Sequence, residues 1–275
     1  MIFFIFVLGL IFGSFLEALT YRVPRGISIM KGRSFCPNCK SKISWHDNIP
    51  LLSFLILGGK CRSCREKIPV RAPLLEIFTG VLFSSLFVFV NYYCFGGFGF
   101  EIFNSNGICL SLGGSQIINN IFLFLLSFYF IAILVIDLEH KIIPDEFVWV
   151  PFIATILYLI LFNPDSFYEN IFAGFSVSVF LLLLFLVTKG KGLGLGDVKF
   201  VIIPGMVMGM LLSWVFIFVS FLVGGIVGVI LIILGKAKFG KEIPFAPFLI
   251  LGFYITLFWS QTILDILKRY NDRKI

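Results

Sequence analysis

Charged side chains are scarce in this 275-residue sequence: Asp, Glu, Lys and Arg together make up 13% of it, whereas hydrophobic residues make up 59%. A typical soluble domain is about one quarter charged and about half apolar. With a mean hydropathy of +1.03, the composition excludes an ordinary soluble globular protein and predicts an integral membrane protein. The many bulky Leu, Ile and Phe residues favour membrane helices over the alternating strands of a barrel.

Apolar runs long enough to cross a bilayer as helices recur along the chain. We predict an all-α integral membrane protein with about eight transmembrane helices, at 1–19, 73–95, 116–136, 147–162, 171–188, 244–264 and, as two short spans, 200–234. The last run holds 35 residues, which at about 1.5 Å per residue is too long for one ordinary crossing. We expect it to turn near Leu212–Trp214; one tilted span, giving seven in total, is the alternative.

Basic residues are missing from some connecting segments and concentrated in others. Segments 96–115 and 163–170 contain no Lys or Arg, whereas segment 20–72 contains 11 of the 22 in the chain. Because Lys and Arg gather in cytoplasmic loops, we expect the cytoplasmic segments to be 20–72, 137–146, 189–199 and 235–243. Topology and attraction to anionic lipid then explain the net charge of +7, and nucleic-acid binding is not indicated.

The same pattern predicts the domain organisation. A first transmembrane helix at 1–19 is followed by a soluble-looking insert at 20–72 and by a multi-helix membrane domain at 73–275. The first helix has neither a basic region before it nor a small-residue cleavage site, so we expect it to be retained and not removed as a signal peptide. Nothing in the sequence indicates the oligomeric state.

Two cysteine pairs stand in the insert, CPNC at 36–39 and CRSC at 61–64, with 21 residues between them. This spacing is typical of a structural zinc site, in which four thiolates surround the ion. A reducing cytoplasm disfavours disulfides. A segment this short buries too little hydrophobic core to fold unless a bound metal ion cross-links it. We predict a closed Zn²⁺ site at Cys36, Cys39, Cys61 and Cys64. Two unrelated turns or redox pairs are the alternative.

The other two cysteines, Cys94 and Cys109, fall on the predicted outer side of the membrane. A disulfide can form in that environment. Disulfides also require a specific distance and orientation of the two residues, which a sequence does not give. We therefore expect two free thiols, and a disulfide between them is the alternative.

Two aspartates stand at the ends of apolar runs. Asp137 follows IFLFLLSFYFIAILVI, and Asp197 lies in GLGLGDVK. Both fall on the predicted cytoplasmic side, and acids this close to the membrane core are usually functional. Two carboxylates at one depth suit an aspartyl protease, because the ionised one takes a proton from water while the protonated one polarises the peptide carbonyl. We predict that Asp137 and Asp197 form a catalytic pair.

Other interpretations of these acids remain open. Asp197 could cap the helix that follows it, as Asp often does. Asp145 is a rival to Asp137, but it follows Pro144 and is typical of a helix cap. The chain could also be a zinc-containing transporter whose acids relay protons, although transporters depend on acids nearer the midplane.

Two further features lie near these acids. Glu17, close to the end of the first helix, is expected to snorkel to the interface or to pair with Arg22. Three glycines precede Asp197 and would let the backbone approach a substrate strand and the partner aspartate; they are Gly192, Gly194 and Gly196. The phosphate-binding pattern G-x4-G-K-[ST] is not present.

The motifs together resemble those of the type IV prepilin peptidases, bifunctional leader peptidase and N-methyltransferase enzymes of type IV pilus and type II secretion systems. GSFLEALTYRVP is similar to the family's GSFLN-like box, and RSFCPNCK to REKIPVRAPLLEIFTG is similar to its zinc-knuckle insert. IDLEHKIIPD matches the D-x5-IPD box, GLGDVK the GxGD box and PFAPFL the C-terminal FGPFL-like box. Five motifs in the same order cover nearly the whole chain and are a specific signal.

This resemblance implies a membrane aspartyl endopeptidase of the bacterial inner membrane, with Asp137 and Asp197 as its catalytic residues. Its substrates would be prepilins or pseudopilins, whose basic leader is cleaved after a glycine on the cytoplasmic side. The new N-terminal residue, usually phenylalanine, would then be methylated from S-adenosylmethionine.

Three residues depart from the family pattern. Glu17 replaces an asparagine, Ala72 stands where tyrosine is common, and Ala246 replaces a glycine. Glu17 and Ala72 lie beside the insert, so methylation is the activity they put in question. The sequence has no Rossmann-type methyltransferase fingerprint and does not predict which residues bind S-adenosylmethionine. A GxGD-type membrane protease without methyltransferase activity is the alternative.

Overall fold

The computed structural model describes residues 1–28, 34–36, 38–91, 115–190, 192–235 and 244–272. Cys94 and Cys109, and with them the predicted free thiols, lie outside these residues. The described chain is all-α, as predicted, with two isolated β-bridges. Its α-helices are α1 (Ile2–Arg22), α2 (Leu52–Ile56), α3 (Arg71–Phe89), α4 (Gln116–His140), α5 (Asp145–Phe162), α6 (Phe167–Thr188), α7 (Leu195–Phe200), α8 (Ile202–Ile233) and α9 (Ala246–Asp272).

The membrane helices pack at distances that only glycine permits. On the α1 side, a Cβ added to Gly13 would lie 2.6 Å from the Cα atom of Glu76 in α3. Between α6 and α8, a Cβ added to Gly205 would lie 2.7 Å from the Cα atom of Gly174. Because lipid tails are as apolar as the helix surfaces, the hydrophobic effect does not drive these helices together. Close van der Waals packing at small residues provides the attraction instead.

Helix α8 reverses its direction at Gly209. The backbone of this residue has φ +72° and ψ 176°, which is not helical. In a straight helix Lys199 and Phe221 would lie about 33 Å apart, yet both line the same cavity. The hydroxyl of Ser213 also donates to the carbonyl oxygen of Gly205, eight residues earlier, at 2.9 Å. The chain therefore doubles back between these residues.

Contacts with α6 agree with this reversal. Ser178 donates to the carbonyl oxygen of Val198 at 2.8 Å, and the ring of Phe180 lies 5.4 Å from that of Trp214. Residues before and after Gly209 therefore contact the same turn of α6. The two parts of the run from 195 to 233 lie side by side and both contact α6.

The predicted topology needs one correction. Among the described helices, seven are long and apolar enough to span a membrane, compared with the eight preferred from the sequence. That count takes Ile202–Ile233 as a single helix, whereas the non-helical Gly209 divides it into two parts that lie side by side, as the preferred two-span prediction has it. The expected turn near Leu212–Trp214 is wrong in position: these residues are helical, and the chain turns earlier, at Gly209.

Several polar segments of the described chain lie together at one end of the helix bundle. The end of α4, the start of α5, α7 and the start of α9 all line one cavity there. Arg71, the first residue of α3, contacts Glu139 near the end of α4 at 2.7 Å. The segment that joins α1 to α3, which carries the cysteine pairs, therefore lies at this same end.

We predict that Gly209→Ala destabilises the protein, because a φ of +72° is strained for a residue with a Cβ and costs about 1–3 kcal/mol. Thermal unfolding in detergent measures the effect. Gly228→Ala is the matched control, since a Cβ there meets no described atom within 4 Å and alanine favours the helix. Equal unfolding temperatures for the two variants would contradict a reversal that depends on Gly209.

Candidate active site and metal centre

A cavity of about 680 Å³ opens at this polar end of the bundle. Its walls come from the end of α4, the segment that leads into α5, the glycine loop before α7, the later part of α8 and the start of α9. Asp137 and Asp197 both line it, and each side chain belongs to a residue that is only 6% exposed. Two aspartates from separate sequence motifs thus meet at one buried site.

Asp137 lies in the last turn of α4. The helix ends at Lys141, whose φ is +54° and whose N–H donates to the carbonyl oxygen of Asp137 at 2.9 Å. The backbone N–H of Ala246, at the start of α9, donates to the Asp137 carboxylate. The Oδ2 atom is buried and has no hydrogen-bond partner among the described residues. One carboxylate oxygen of Asp137 is therefore left without a hydrogen bond within the described part of the chain.

Asp197 is the third residue of α7 and so does not cap this helix with its side chain from the N-cap position, as one interpretation of the sequence expected. Its Oδ2 atom instead accepts the backbone N–H of Gly194, the N-cap residue, at 3.0 Å. Burial raises the pKa of the Asp197 carboxyl to about 7, the Gly194 N–H opposes the shift, and the charge of Asp137 adds to it. Asp197 therefore holds a proton readily near neutral pH.

Asp145, the rival carboxylate, also borders the cavity. It is the first residue of α5, after the N-cap Pro144. Its Oδ1 atom accepts a hydrogen bond from Lys199 Nζ at 2.9 Å, and the side chain is 61% exposed. Asp145 is thus a paired, exposed charge at the rim, unlike the two buried aspartates.

The glycine loop brings its backbone against the segment that follows α4. A Cβ added to Gly196 would lie 3.0 Å from the Cβ atom of Ile143, and one added to Gly194 would lie 3.4 Å from Asp197 Oδ2. A Cβ at Gly192 would meet no described atom within 4 Å. The loop therefore needs glycine for close approach at Gly196 more than at the other two positions.

The four cysteines of the insert form a compact cluster. The Sγ atoms of Cys36, Cys39, Cys61 and Cys64 all lie within 4.8 Å of one another, and those of Cys36 and Cys64 are 3.9 Å apart. A tetrahedral ion with metal–sulfur bonds of about 2.3 Å has sulfur–sulfur edges of about 3.8 Å. The cluster therefore fits a metal ion held by four thiolates.

The two halves of this cluster have the same backbone geometry. The N–H of Lys40 donates to the carbonyl oxygen of Cys36 at 2.9 Å, and that of Arg65 to Cys61 at 3.0 Å. Lys40 and Arg65 both have positive φ, +57° and +62°. Each C-x2-C pair thus ends in an equivalent tight turn, so the cysteines are arranged by two matching loops and not by unrelated turns.

Hydrogen bonds lower the pKa of two of these thiols and so favour the thiolate form that binds a metal ion. The side chain and backbone N–H of Ser41 lower the pKa of the Cys39 thiol to about 6. The backbone N–H of Cys64 lowers the pKa of Cys61. The N–H of Glu66 acts in the same sense on Cys64, but burial and the neighbouring thiols raise its pKa to about 11. A metal ion binds thiolates, so its binding would displace the proton that the raised pKa retains on Cys64.

A charged network connects the insert side of the bundle with α4. Arg71 lies 3.1 Å from Glu17 Oε2 and 2.7 Å from Glu139 Oε1, and it donates to Thr20 Oγ1 at 2.6 Å. Glu17 is thus paired with Arg71, whereas the sequence suggested Arg22. No pattern in the sequence indicates the contact between Arg71 and Glu139, because the two residues are 68 positions apart.

A second contact fastens the insert to the membrane helices. The N–H of Leu51 donates to Oε2 of Glu76 in α3 at 2.7 Å, and Leu51 has a positive φ of +57°. Glu76 is only 7% exposed, so this contact satisfies a buried carboxylate that would otherwise be costly. The insert is therefore held to the bundle by backbone as well as by charged side chains.

Comparison with known proteins identifies the family. Residues 7–90 match the Bacterial Peptidase A24 N-terminal domain, and residues 123–229 match the Type IV leader peptidase family. A prepilin leader peptidase/N-methyltransferase of Pseudomonas aeruginosa is 31% identical over 284 residues, which cover 93% of this chain and 89% of the relative. The chain belongs to the type IV leader peptidase family.

Further relatives carry the same name. One from Bacillus subtilis is 30% identical over 95% of both chains. One from Myxococcus xanthus is 52% identical over 80 residues, which cover 29% of this chain and 24% of the relative. No solved structure is significantly similar to the chain. Membership of this family makes the chain an enzyme, a peptidase, and the first family domain covers the cysteine pairs while the second covers both buried aspartates.

We predict that Asp197 makes the stability of the protein depend on pH. Its pKa is raised from 3.8 to about 7, so the folded state binds this proton more tightly than the unfolded state. The stabilisation that Asp197 contributes should therefore be complete below about pH 4 and be lost as the pH rises to about 7. Asp197→Asn does not titrate and should lose this part of the dependence. Parallel pH profiles of unfolding temperature for the two proteins would contradict the raised pKa.

Proposed function

We propose that this protein is a membrane aspartyl endopeptidase that removes the basic leader of type IV prepilins or pseudopilins at the cytoplasmic face. It then methylates the new N-terminal residue with S-adenosylmethionine. The observation that carries the proposal is the meeting of Asp137 and Asp197, two buried carboxylates from different helices, in one open cavity. The names of the relatives support the substrate class and both activities.

The two carboxylates differ in a way that suits them to peptide hydrolysis. Asp197, whose pKa is raised to about 7, carries the proton and donates it to the carbonyl oxygen of the scissile bond. Asp137, whose carboxylate accepts the N–H of Ala246, takes a proton from the attacking water through its Oδ2 atom. The water oxygen bonds to the carbonyl carbon, and collapse of this intermediate breaks the C–N bond as the amine receives a proton.

The departure at Ala246 is compatible with this role. The contact with Asp137 is made by the backbone N–H of residue 246, which alanine and glycine both have. The methyl group of Ala246 is fully buried. The third departure from the family pattern therefore leaves the carboxylate's hydrogen bond in place.

The cytoplasmic placement of the site is argued from charge. The cavity lies at the same end of the bundle as the insert, and segment 20–72 holds half of the Lys and Arg residues of the chain. Under the positive-inside rule that end faces the cytoplasm. A substrate whose apolar helix lies in the bilayer would then present its extended leader to the cavity from the cytoplasmic side.

The ion in the cysteine cluster is proposed to be Zn²⁺, with a structural role. Four thiolates in tetrahedral spacing are typical of this ion and leave no position for a reactive water. Cys36, Cys39, Cys61 and Cys64 would hold it. When bound, zinc would fix the two matching turns relative to each other in a segment whose helices are short.

Fewer structural observations bear on methylation than on peptide cleavage. S-adenosylmethionine would supply the methyl group, and the attacking atom is the free amine of the new N-terminal residue. The sequence has no Rossmann-type fingerprint for this cofactor, so it would be bound in another way. A peptidase without methyltransferase activity is the competing function, and Glu17 and Ala72, which depart from the family pattern beside the insert, are the observation that favours it.

The experiment that tests both activities uses the purified full-length protein in detergent, a prepilin and isotope-labelled S-adenosylmethionine, with products followed by mass spectrometry. Cleavage with label on the new N-terminus supports both halves. Cleavage without label retains the peptidase and selects the competing function. Intact prepilins of several kinds, with well-folded protein, would contradict the proposal.

Within this assay we predict that Asp137→Asn and Asp197→Asn each reduce cleavage by about 100- to 10,000-fold, the range for loss of a general acid or base. Asp145→Asn is the matched control, because Asp145 borders the same cavity but is exposed and paired with Lys199; it should retain most activity. Substantial cleavage by either of the first two variants would remove that residue from the pair.

We also predict that the double variant Cys36→Ser, Cys39→Ser loses bound zinc and that its insert becomes sensitive to proteolysis, because metal-binding energy here is largely folding energy. Elemental analysis and limited proteolysis between residues 23 and 70 provide the measurements. Cys94→Ser, Cys109→Ser is the control and should retain the metal. A normal zinc content in the first double variant is the result that excludes the four-thiolate site.

A further inference from the structure

The last turn of α4 carries two carboxylates that point in different directions. Asp137 lines the cavity, whereas Glu139 contacts Arg71 of α3 at 2.7 Å. Residues two positions apart in a helix lie about 200° apart around its axis, so these side chains leave α4 on nearly opposite faces. Negative charge is unfavourable at a helix C-terminus, and the hydrolysis proposed above does not use Glu139. This second carboxylate therefore requires its own explanation.

Arg71 holds the Glu139 carboxylate in a defined position. Its Nη1 atom lies 2.7 Å from Oε1 and 2.9 Å from Oε2 of Glu139. Its Nε atom lies 3.1 Å from Oε2 of Glu17, and its Nη2 atom donates to Thr20 Oγ1 at 2.6 Å. A guanidinium presents its donors in a rigid planar fork. With two of its nitrogens directed at α1, the third determines where the Glu139 carboxylate can lie.

The helices that hold Arg71 form a closely packed pair. A Cβ added to Gly9 of α1 would lie 2.6 Å from the Cα atom of Gly80 in α3, so these backbones are in direct contact. Thr20 is fully buried, and its hydroxyl donates to the carbonyl oxygen of Leu16 at 2.8 Å. Arg71 is thus attached to a rigid base that belongs neither to α4 nor to the walls of the cavity.

The last turn of α4 is held on two sides. On the cavity side the backbone N–H of Ala246 donates to the Asp137 carboxylate, and on the other side Arg71 binds Glu139. Apolar contacts also join α4 to α3, among them the stacked rings of Phe83 and Phe124, whose centroids are 4.6 Å apart. Apolar attraction is non-directional, so it resists rotation of the turn less than an ion pair with defined geometry does.

We propose that Arg71 is a positioning residue for peptide cleavage. Its ion pair with Glu139 fixes the rotation and depth of the last turn of α4, and thereby directs the Asp137 carboxylate towards Asp197. Arg71 acts through Glu139 and contacts neither the substrate nor the reacting atoms. The inference rests on the proposed function, because it takes Asp137 and Asp197 as the catalytic pair.

The test breaks the contact from each side and measures kcat and KM for prepilin cleavage by the full-length protein in detergent. Arg71→Gln and Glu139→Gln are made singly and together. Arg25→Gln is the matched control, because Arg25 lies at the same end of the bundle but donates within its own segment, to the carbonyl oxygen of Tyr21 at 2.8 Å. Unfolding temperature and bound metal are measured for every variant.

We expect Arg71→Gln and Glu139→Gln each to lower kcat by about 10- to 100-fold, the loss that a displacement of about 1 Å at a catalytic group can cause. KM should change less than threefold, because neither residue is among the described residues that line the cavity. Bound metal should remain at the wild-type level, and Arg25→Gln should cleave like the wild-type protein. If Arg71→Gln does not fold, Glu139→Gln carries the test, since its side chain is partly exposed.

The double variant separates positioning from two unrelated effects. Because both substitutions break the same contact, Arg71→Gln, Glu139→Gln should be no slower than the slower of the two single variants. Losses that multiply in the double variant would show that the residues act independently, and that result overturns the inference.

Two further results would overturn it: a wild-type kcat in both single variants, or a loss that appears in KM alone, which would make Arg71 a substrate contact. The aspartate variants distinguish this failure from that of the catalytic pair. If Asp137→Asn is inactive while Arg71→Gln cleaves normally, the positioning role alone fails. If Asp137→Asn and Asp197→Asn remain active, the catalytic assignment fails, whatever the behaviour of Arg71→Gln.

Discussion

The reversal of α8 at Gly209 is the constraint on which the candidate site depends. Because the chain turns back there, Lys199 before the bend and Phe221 after it line the same cavity. A straight helix would place them on opposite sides of the membrane. The φ of +72° that the turn requires is strained for any residue with a Cβ. One backbone position thus brings the GxGD loop and Phe221 of α8 to the same cavity.

The second constraint is the cost of burying two carboxylates close to each other. The protein lowers this cost locally, with one backbone N–H for each: that of Ala246 for Asp137 and that of Gly194 for Asp197. Both donors lie at the N-terminal ends of helices, where backbone N–H groups have no intrahelical partners. In the proposed catalytic pair, a single shared proton would reduce the repulsion further, as in other pairs of neighbouring carboxylates. The same arrangement leaves Asp137 Oδ2 without a described partner.

Direct contacts join the insert to α1, to α3 and to the end of α4, the helix that carries Asp137. Arg71 contacts Glu17 of α1 and Glu139 of α4, and Glu139 is two residues after Asp137 in the same helix. Glu76 holds the backbone of Leu51. The replacement of an asparagine by Glu17 therefore adds a carboxylate to a network that already contains an arginine able to pair with it. A metal that orders the cysteine turns would thus also limit the positions open to this end of the bundle.

The helices and the residues of the candidate site can be predicted from local patterns in the amino-acid sequence. Hydropathy gave the membrane helices, the spacing of two C-x2-C pairs predicted the cluster that the four sulfurs form, and the two motifs singled out Asp137 and Asp197. The pairing of side chains follows from the packing of the helices: Glu17 pairs with Arg71 and not Arg22, and Asp145 pairs with Lys199. The turn lies at Gly209 and not near Leu212–Trp214. Periodicity and spacing record local preferences, whereas these contacts join residues far apart in the chain, and their positions depend on how closely the helices pack.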